Sequence, residues 1–333
     1  MVDTLKLGLF MDLAYPKATL RYKTVCLLVA SLYAALLCLF PMEGVVDRDN
    51  YREMARISPL IMARFLGQGL HSLFANEPVW LATNAVLGLL LEDVVVVRII
   101  IFSSAALLSY VLLVNNPRNF LLVAFILVFP QVLKNYVIHL RQGMAIACFM
   151  AGWLSHSKRK RWFFLGLSPL IHSSFFIILA IVIGSWILRK LRIAPDLKLL
   201  IFGAGSLALA LFAVQLSAAI GARQAETTLV TREAISGVGF MFWSTILLLM
   251  LFQGRQFLHQ HTVALGVLIF YLAAYFFTPI AGRVFESGII LVLLALLATT
   301  GWRRLLALSV LLAFNAALIL VSYTKPLMGF ANP

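Results

Sequence analysis

From Val25 onward the chain is a succession of long apolar runs cut by short polar turns, a pattern that water-exposed surfaces cannot hold. In lipid every backbone N–H and C=O must find its partner within the chain, and a helix does so inside one segment. A full crossing takes about 20 apolar residues. The runs lie at Val25 to Phe40, Val79 to Leu91, Val94 to Val114, Phe120 to Ile138, Gly143 to Leu154, Leu197 to Ile220, Phe240 to Phe252, Val263 to Phe277, Gly288 to Thr300 and Leu305 to Val321. With Ile57 to Ala75 and Trp162 to Leu188 they predict an all-α polytopic membrane protein of roughly 11 to 13 transmembrane or re-entrant helices. A short outer-face loop or helix is expected at 221–239. The connections are too short to fold alone, so one integral membrane domain is expected over 1–333.

Composition supports that class, with 62% apolar and 12% charged residues. The 27 Lys and Arg against 13 Asp and Glu give +14, an excess that orients cytoplasmic loops. No nucleic-acid-binding module accompanies it, so no nucleic acid is expected as a partner. Cys26, Cys38 and Cys148 all lie in apolar runs without metal-ligand spacing and read as packing residues. No Walker loop, dinucleotide turn, GxSxG elbow or zinc signature is present. No cofactor and no metal are expected.

Lys17, Arg21 and Lys23 put residues 1–23 in the cytoplasm, and Lys158-Arg159-Lys160-Arg161, the Arg189 to Lys198 loop, Arg255 and Arg303-Arg304 should follow. That leaves Pro41 to Ile57, Asn135 to Gln142, 221–239 and Thr278 to Ser287 for the outer face. Trp162 to Leu188 must then begin and end inside. It is short for two ordinary helices, which predicts two broken ones with His172 near the apex. A single tilted helix would instead move the Arg189 loop outside. Ile57 to Ala75 carries Arg64, Gln68 and His71 at helical spacing, as a span lining a cavity or an interfacial helix would.

The polar residues that recur near span ends are the candidates for chemistry. Arg141 in His139-Leu140-Arg141-Gln142 offers a planar fork of donors suited to phosphate, and His139 titrates near neutral pH. The bland alternative is an Arg reaching out to lipid headgroups. Asp47 and Asp49, beside Tyr51, can take a proton from a sugar hydroxyl or bind one, or can form solvated ion pairs. Pro169 weakens the helix before His172, so that His172 lines a cavity or is a structural residue bonded to Ser168 or a carbonyl. Arg223 and Arg232 can hold an anionic headgroup or pair with neighbouring Glu residues. Arg283 and Glu286, three apart, serve as phosphate binder and acid/base or pair with each other.

The order of these elements resembles the EpsG/Wzy-type bacterial polysaccharide polymerases. Asp47-Arg48-Asp49-Asn50-Tyr51 matches an early acidic and aromatic loop, and Glu77-Pro78-Val79-Trp80 a Glu-Pro-x-aromatic turn. Arg141-Gln142-Gly143-Met144-Ala145 matches Arg-Gln-x-x-Ala, Ile171-His172-Ser173-Ser174 an apolar-His-x-Ser sequence, and Arg283 a late Arg before a span. One span precedes the Asp/Tyr loop where relatives carry two. The resemblance implies a membrane glycosyltransferase that joins undecaprenyl-pyrophosphate-linked oligosaccharide repeats on the outer face of the bacterial cytoplasmic membrane. It implies pyrophosphate on Arg141 and Arg283, with Arg223 or Arg232 as a second clamp. His172 then acts as base, with Asp47, Asp49 and Glu286 as further acid/base candidates and Gln142, His139 and Tyr51 in support. Partners would be the lipid-linked oligosaccharides, membrane lipids and a chain-length regulator protein. A glycan ligase or an O-acyltransferase on the same membrane face would share these residue types, whereas a lipid-linked sugar transporter or flippase would favour inverted repeats and charges at the bilayer midplane, and no repeat is visible.

Overall fold

The computed structural model describes residues 19–219, 237–278 and 280–331, and it is built from α-helices. These residues form two compact units, one of 19–176, 214–219 and 313–331, the other of 177–213, 237–278 and 280–312. Five helices are long and apolar enough to cross a membrane among the described residues, or six if one bent pair is a single span. Shorter apolar helices accompany them, and the chain is an all-α, multi-pass membrane protein. Residues 1–18 and 220–236, which hold most of the outer-face loop expected at 221–239, lie outside the described residues.

The first unit opens with α1, Leu20–Cys38, whose Thr19 hydroxyl accepts from the Tyr22 amide at 3.3 Å. Small residues at four-residue spacing, Cys26, Ala30 and Ala34, are fully buried and let α1 lie close on α5, Asp93–Asn115. The opposite face presents Leu28, Leu32 and Leu36 to the surroundings, which suits lipid rather than water. Between them come α2, Arg48–Gly67, α3, Leu70–Ala75, and α4, Pro78–Gly88. Ile57 to Ala75 is therefore not one helix. Gly69, at φ 108°, breaks it and separates His71 from Arg64.

The run Phe120 to Ile138 is likewise divided, into α6, Phe120–Leu127, and α7, Pro130–Val137, with a bend of 66°. Pro130 sits at the first position of α7, where its missing N–H costs nothing. Next are α8, Leu140–Trp153, and α9, Lys158–Ile171, with the Ser157 hydroxyl accepting from the Lys160 amide at 3.5 Å. Helix α8 packs between α5 and α9. Trp162 to Leu188 is broken as expected: α9 stops at Ile171, and α10, Ser174–Lys190, begins two residues beyond His172.

The second unit holds most of α10, the start of α11, Pro195–Ala219, then α12, Val238–Leu251, and the short α13, Arg255–Gln260. It continues with α14, Thr262–Ala274, α15, Ile280–Leu297, and the first part of α16, Gly301–Tyr323. Helices α14 and α15 pack together, and Trp243, Tyr271 and Phe285 form their aromatic core, with centroids 4.6 Å and 4.3 Å from Phe285.

Candidate functional site

In the first unit one carboxylate gathers polar residues of three separate segments. Glu77 Oε2 lies 2.7 Å from Arg141 Nη1, and Glu77 Oε1 lies 2.7 Å from His172 Nδ1. The Ser173 amide donates to the same Oε1 at 3.2 Å. Tyr51 of α2 lies beside the Arg141 side chain, and its ring meets Trp80 edge-on at 5.6 Å. Glu77, His172 and Tyr51 are buried, whereas the Arg141 side chain keeps 28% of its surface.

Local sequence explains how each group arrives. Glu77 precedes Pro78, which opens α4, and its backbone is left-handed at φ 61°, ψ 56°. That conformation is uncommon for a residue with a side chain and turns the carboxylate inward. Arg141 enters in the first turn of α8, immediately after the His139 cap. Gly143 makes this joint possible, because a Cβ there would overlap the Asn135 carbonyl oxygen. At His172 the cause is Pro169, which cannot donate to the Leu165 carbonyl; the Ser168 hydroxyl bonds that carbonyl instead, at 2.7 Å. Two residues later the helix ends and His172 adopts an extended backbone, φ −147°, ψ 121°.

The electrostatics follow from the packing. Burial alone would raise the Glu77 carboxyl, but Arg141, His172 and the Ser173 N–H together hold it well below the ordinary carboxylate range. An ionised Glu77 makes His172 donate from Nδ1, and in the neutral ring Nε2 is then the acceptor. Arg141 spends one terminal nitrogen on Glu77, and the rest of its fork includes the partly exposed edge. The Arg141–Glu77 pair is neutral as a unit, so a multiply charged anion here needs further cations.

An apolar groove of about 670 Å³ adjoins the cluster. Pro78, one residue from Glu77, and Leu170, two from His172, line it together with Met62, Phe74, Ala82 and Val86. Thr83, also in its lining, turns its hydroxyl to the Val79 carbonyl at 2.8 Å.

Of the residues expected to act, Arg141, His172 and Tyr51 are thus brought together. Glu77 was visible in the sequence only as part of a Glu-Pro turn; nothing there marked it as the hub. The Ser168 carbonyl accepts the His172 backbone N–H at 3.0 Å but its hydroxyl bonds Leu165, not the His172 ring, and Arg141 points to Glu77 rather than outward. Gln142 is buried in the first turn of α8 beside the Arg141 position, and His139 caps that helix. Asp47 is occupied locally by Asn50 at 3.1 Å, and Asp49 by Arg52 at 3.6 Å. Arg283 and Glu286 belong to the other unit, one turn apart on α15. Arg223 and Arg232 lie outside the described residues. Among the described residues no group of His, Cys, Asp and Glu has the geometry to hold a metal ion.

No curated protein and no solved structure matches the chain. One family model does, over residues 23–332, a span that holds every element of the Glu77 cluster. This match runs through nearly the whole sequence, and the chain belongs to the EpsG family.

Proposed function

We propose that the protein polymerises polysaccharide from undecaprenyl-pyrophosphate-linked oligosaccharide repeats at the outer face of the bacterial cytoplasmic membrane, as an integral membrane glycosyltransferase. Membership of the EpsG family suggests a membrane polysaccharide polymerase. The observation that carries the finer reading is the Glu77 carboxylate, which joins Arg141 to His172. In this reading the two oxygens of one group hold the proton acceptor and the anion-binding cation.

In this scheme His172 Nε2 takes the proton of an acceptor sugar hydroxyl as its oxygen attacks the anomeric carbon of the donor glycan. The bond from that carbon to the pyrophosphate oxygen breaks, and undecaprenyl pyrophosphate leaves with the electron pair. Arg141 meets the developing charge; the family resemblance also implies Arg283 and either Arg223 or Arg232 as pyrophosphate ligands. Asp47 or Asp49 binds sugar hydroxyls, and Glu286 is a second acid/base group. Gln142, His139 and Tyr51 support Arg141. The adjoining apolar groove takes the first part of the polyprenyl chain. No metal takes part, because arginines neutralise the leaving group. The outer-face orientation rests on the basic loops at Lys158 to Arg161 and Arg189 to Lys198. A chain-length regulator protein is the expected partner.

The test is polymerisation of purified lipid-linked repeats. Arg141→Ala and His172→Ala should each lose the product ladder, with His172→Ala slower by about a hundredfold or more. Full ladders from both variants would overturn this assignment.

A further inference from the structure

Away from the Glu77 cluster, the second unit gathers two cations that have no counter-ion beside a histidine. Arg189 lies in the last turn of α10, Lys198 in the first turn of α11, and His259 on α13. Arg189 Nη2 reaches the His259 carbonyl at 3.4 Å, but Arg189 Nε and Nη1 are buried with no hydrogen-bond partner. Lys198 is 1% exposed, and among the described residues no carboxylate or hydrogen-bond acceptor meets its ammonium. Burial and the nearby charges of Arg189 and Lys198 push His259 below its ordinary value, which ties the three side chains into one field.

The neighbouring polar groups do not relieve it. Asp196 pairs with Arg255 at 3.2 Å, with half its side chain in the open. Lys190 sits over the Trp186 ring at 4.9 Å. His261 is pushed down to about 4 by burial and lies tilted against the Phe257 ring at 4.3 Å, so it adds no positive charge. Buried cations without partners are costly unless an anion completes them, and orphaned buried N–H groups call for a missing acceptor.

We infer that Arg189, Lys198 and His259 form a binding site for a phosphate-type anion, open to the surroundings at the exposed His259. A guanidinium with two unfilled donors suits phosphate oxygens, and an ammonium supplies the point charge. The site lies at the end of α11, a helix long and apolar enough to span, where bilayer headgroups lie. Its two sources are therefore the headgroup phosphate of an anionic phospholipid and free inorganic phosphate. The inference is independent of the polymerase reading, because none of the three residues belongs to the Glu77 cluster.

Thermal melts of the full-length protein in neutral detergent test it, with phosphatidylglycerol, phosphatidylcholine or inorganic phosphate added. A ligand that binds only the folded state raises Tm with its concentration. Phosphatidylglycerol should raise Tm and phosphatidylcholine should not. Arg189→Gln and Lys198→Met should each weaken the apparent affinity by about tenfold or more, whereas Lys158→Gln, in an exposed basic turn, should leave it unchanged. With no anion added, Lys198→Met should melt higher than the wild type, because a repelling charge has gone. A rise with phosphate alone assigns the aqueous source, and a rise with phosphatidylglycerol alone assigns the headgroup. No rise with either, or an undiminished rise in both site variants, overturns the site.

Discussion

Glu77 carries two costs that only its partners can offset, a left-handed backbone and a buried charge. A strained conformation of this kind costs on the order of 1–3 kcal/mol. Removing one member of a buried ion pair costs about 3–5 kcal/mol, since the other is left unpaired. Glu77→Ala should therefore unfold at markedly lower denaturant than the wild type, with loss of about that size in a detergent-based equilibrium melt. Glu77→Gln keeps a hydrogen-bond acceptor for His172 and Arg141 but gives up the charge, and should be destabilised less than Glu77→Ala while losing activity. The pH dependence has a definite sign. The folded carboxyl binds its proton less readily than the unfolded one, whose ordinary value is near 4.5. Its stabilisation is thus complete above that value and is lost as pH falls below it. Melts from about pH 7 down to about pH 3 should show a fall beginning near 4.5 that is absent from Glu77→Gln. A flat wild-type profile would remove the ion pair from the account.

At the scale of elements, the site depends on helices that stop where they do. Pro169→Ala restores a backbone donor in α9 and permits the helix to run on through His172, drawing the ring away from Glu77. Stability should hold or rise, by a few tenths to about 1 kcal/mol, while polymerisation falls. Unchanged activity in a well-folded Pro169→Ala protein would sever that link. Gly143→Val would force apart α7 and α8, and overpacking of this kind costs about 1–3 kcal/mol. Arg141 should then lose its place even where the protein still folds, as a lost product ladder would show. The helices were largely readable from the apolar runs; several of their breaks were not. Pro169 foretold the end of α9, because a missing N–H is a local property. The division at Gly69 escaped because Arg64, Gln68 and His71 fit one helical face, and periodicity says nothing about a single glycine with positive φ.

For the whole molecule, the proposed scheme has arginine rather than a metal ion neutralise the leaving group, so chelation with EDTA should leave the polymerisation rate unchanged. A rate that collapses on chelation and returns with magnesium would refute that scheme. The sequence by itself determined the class, an all-α membrane protein, because hydrocarbon allows few other ways to satisfy a backbone in runs this long and apolar. It also marked Arg141 and His172, since ionisable groups in apolar surroundings are expensive enough to stand out singly. Only the tertiary structure decided that they meet, and that Glu77 is where they meet. The reason is that an ion pair across 64 or 95 residues of chain leaves no local trace. Its geometry exists only once α4, α8 and α9 have packed and brought three helix ends to one point.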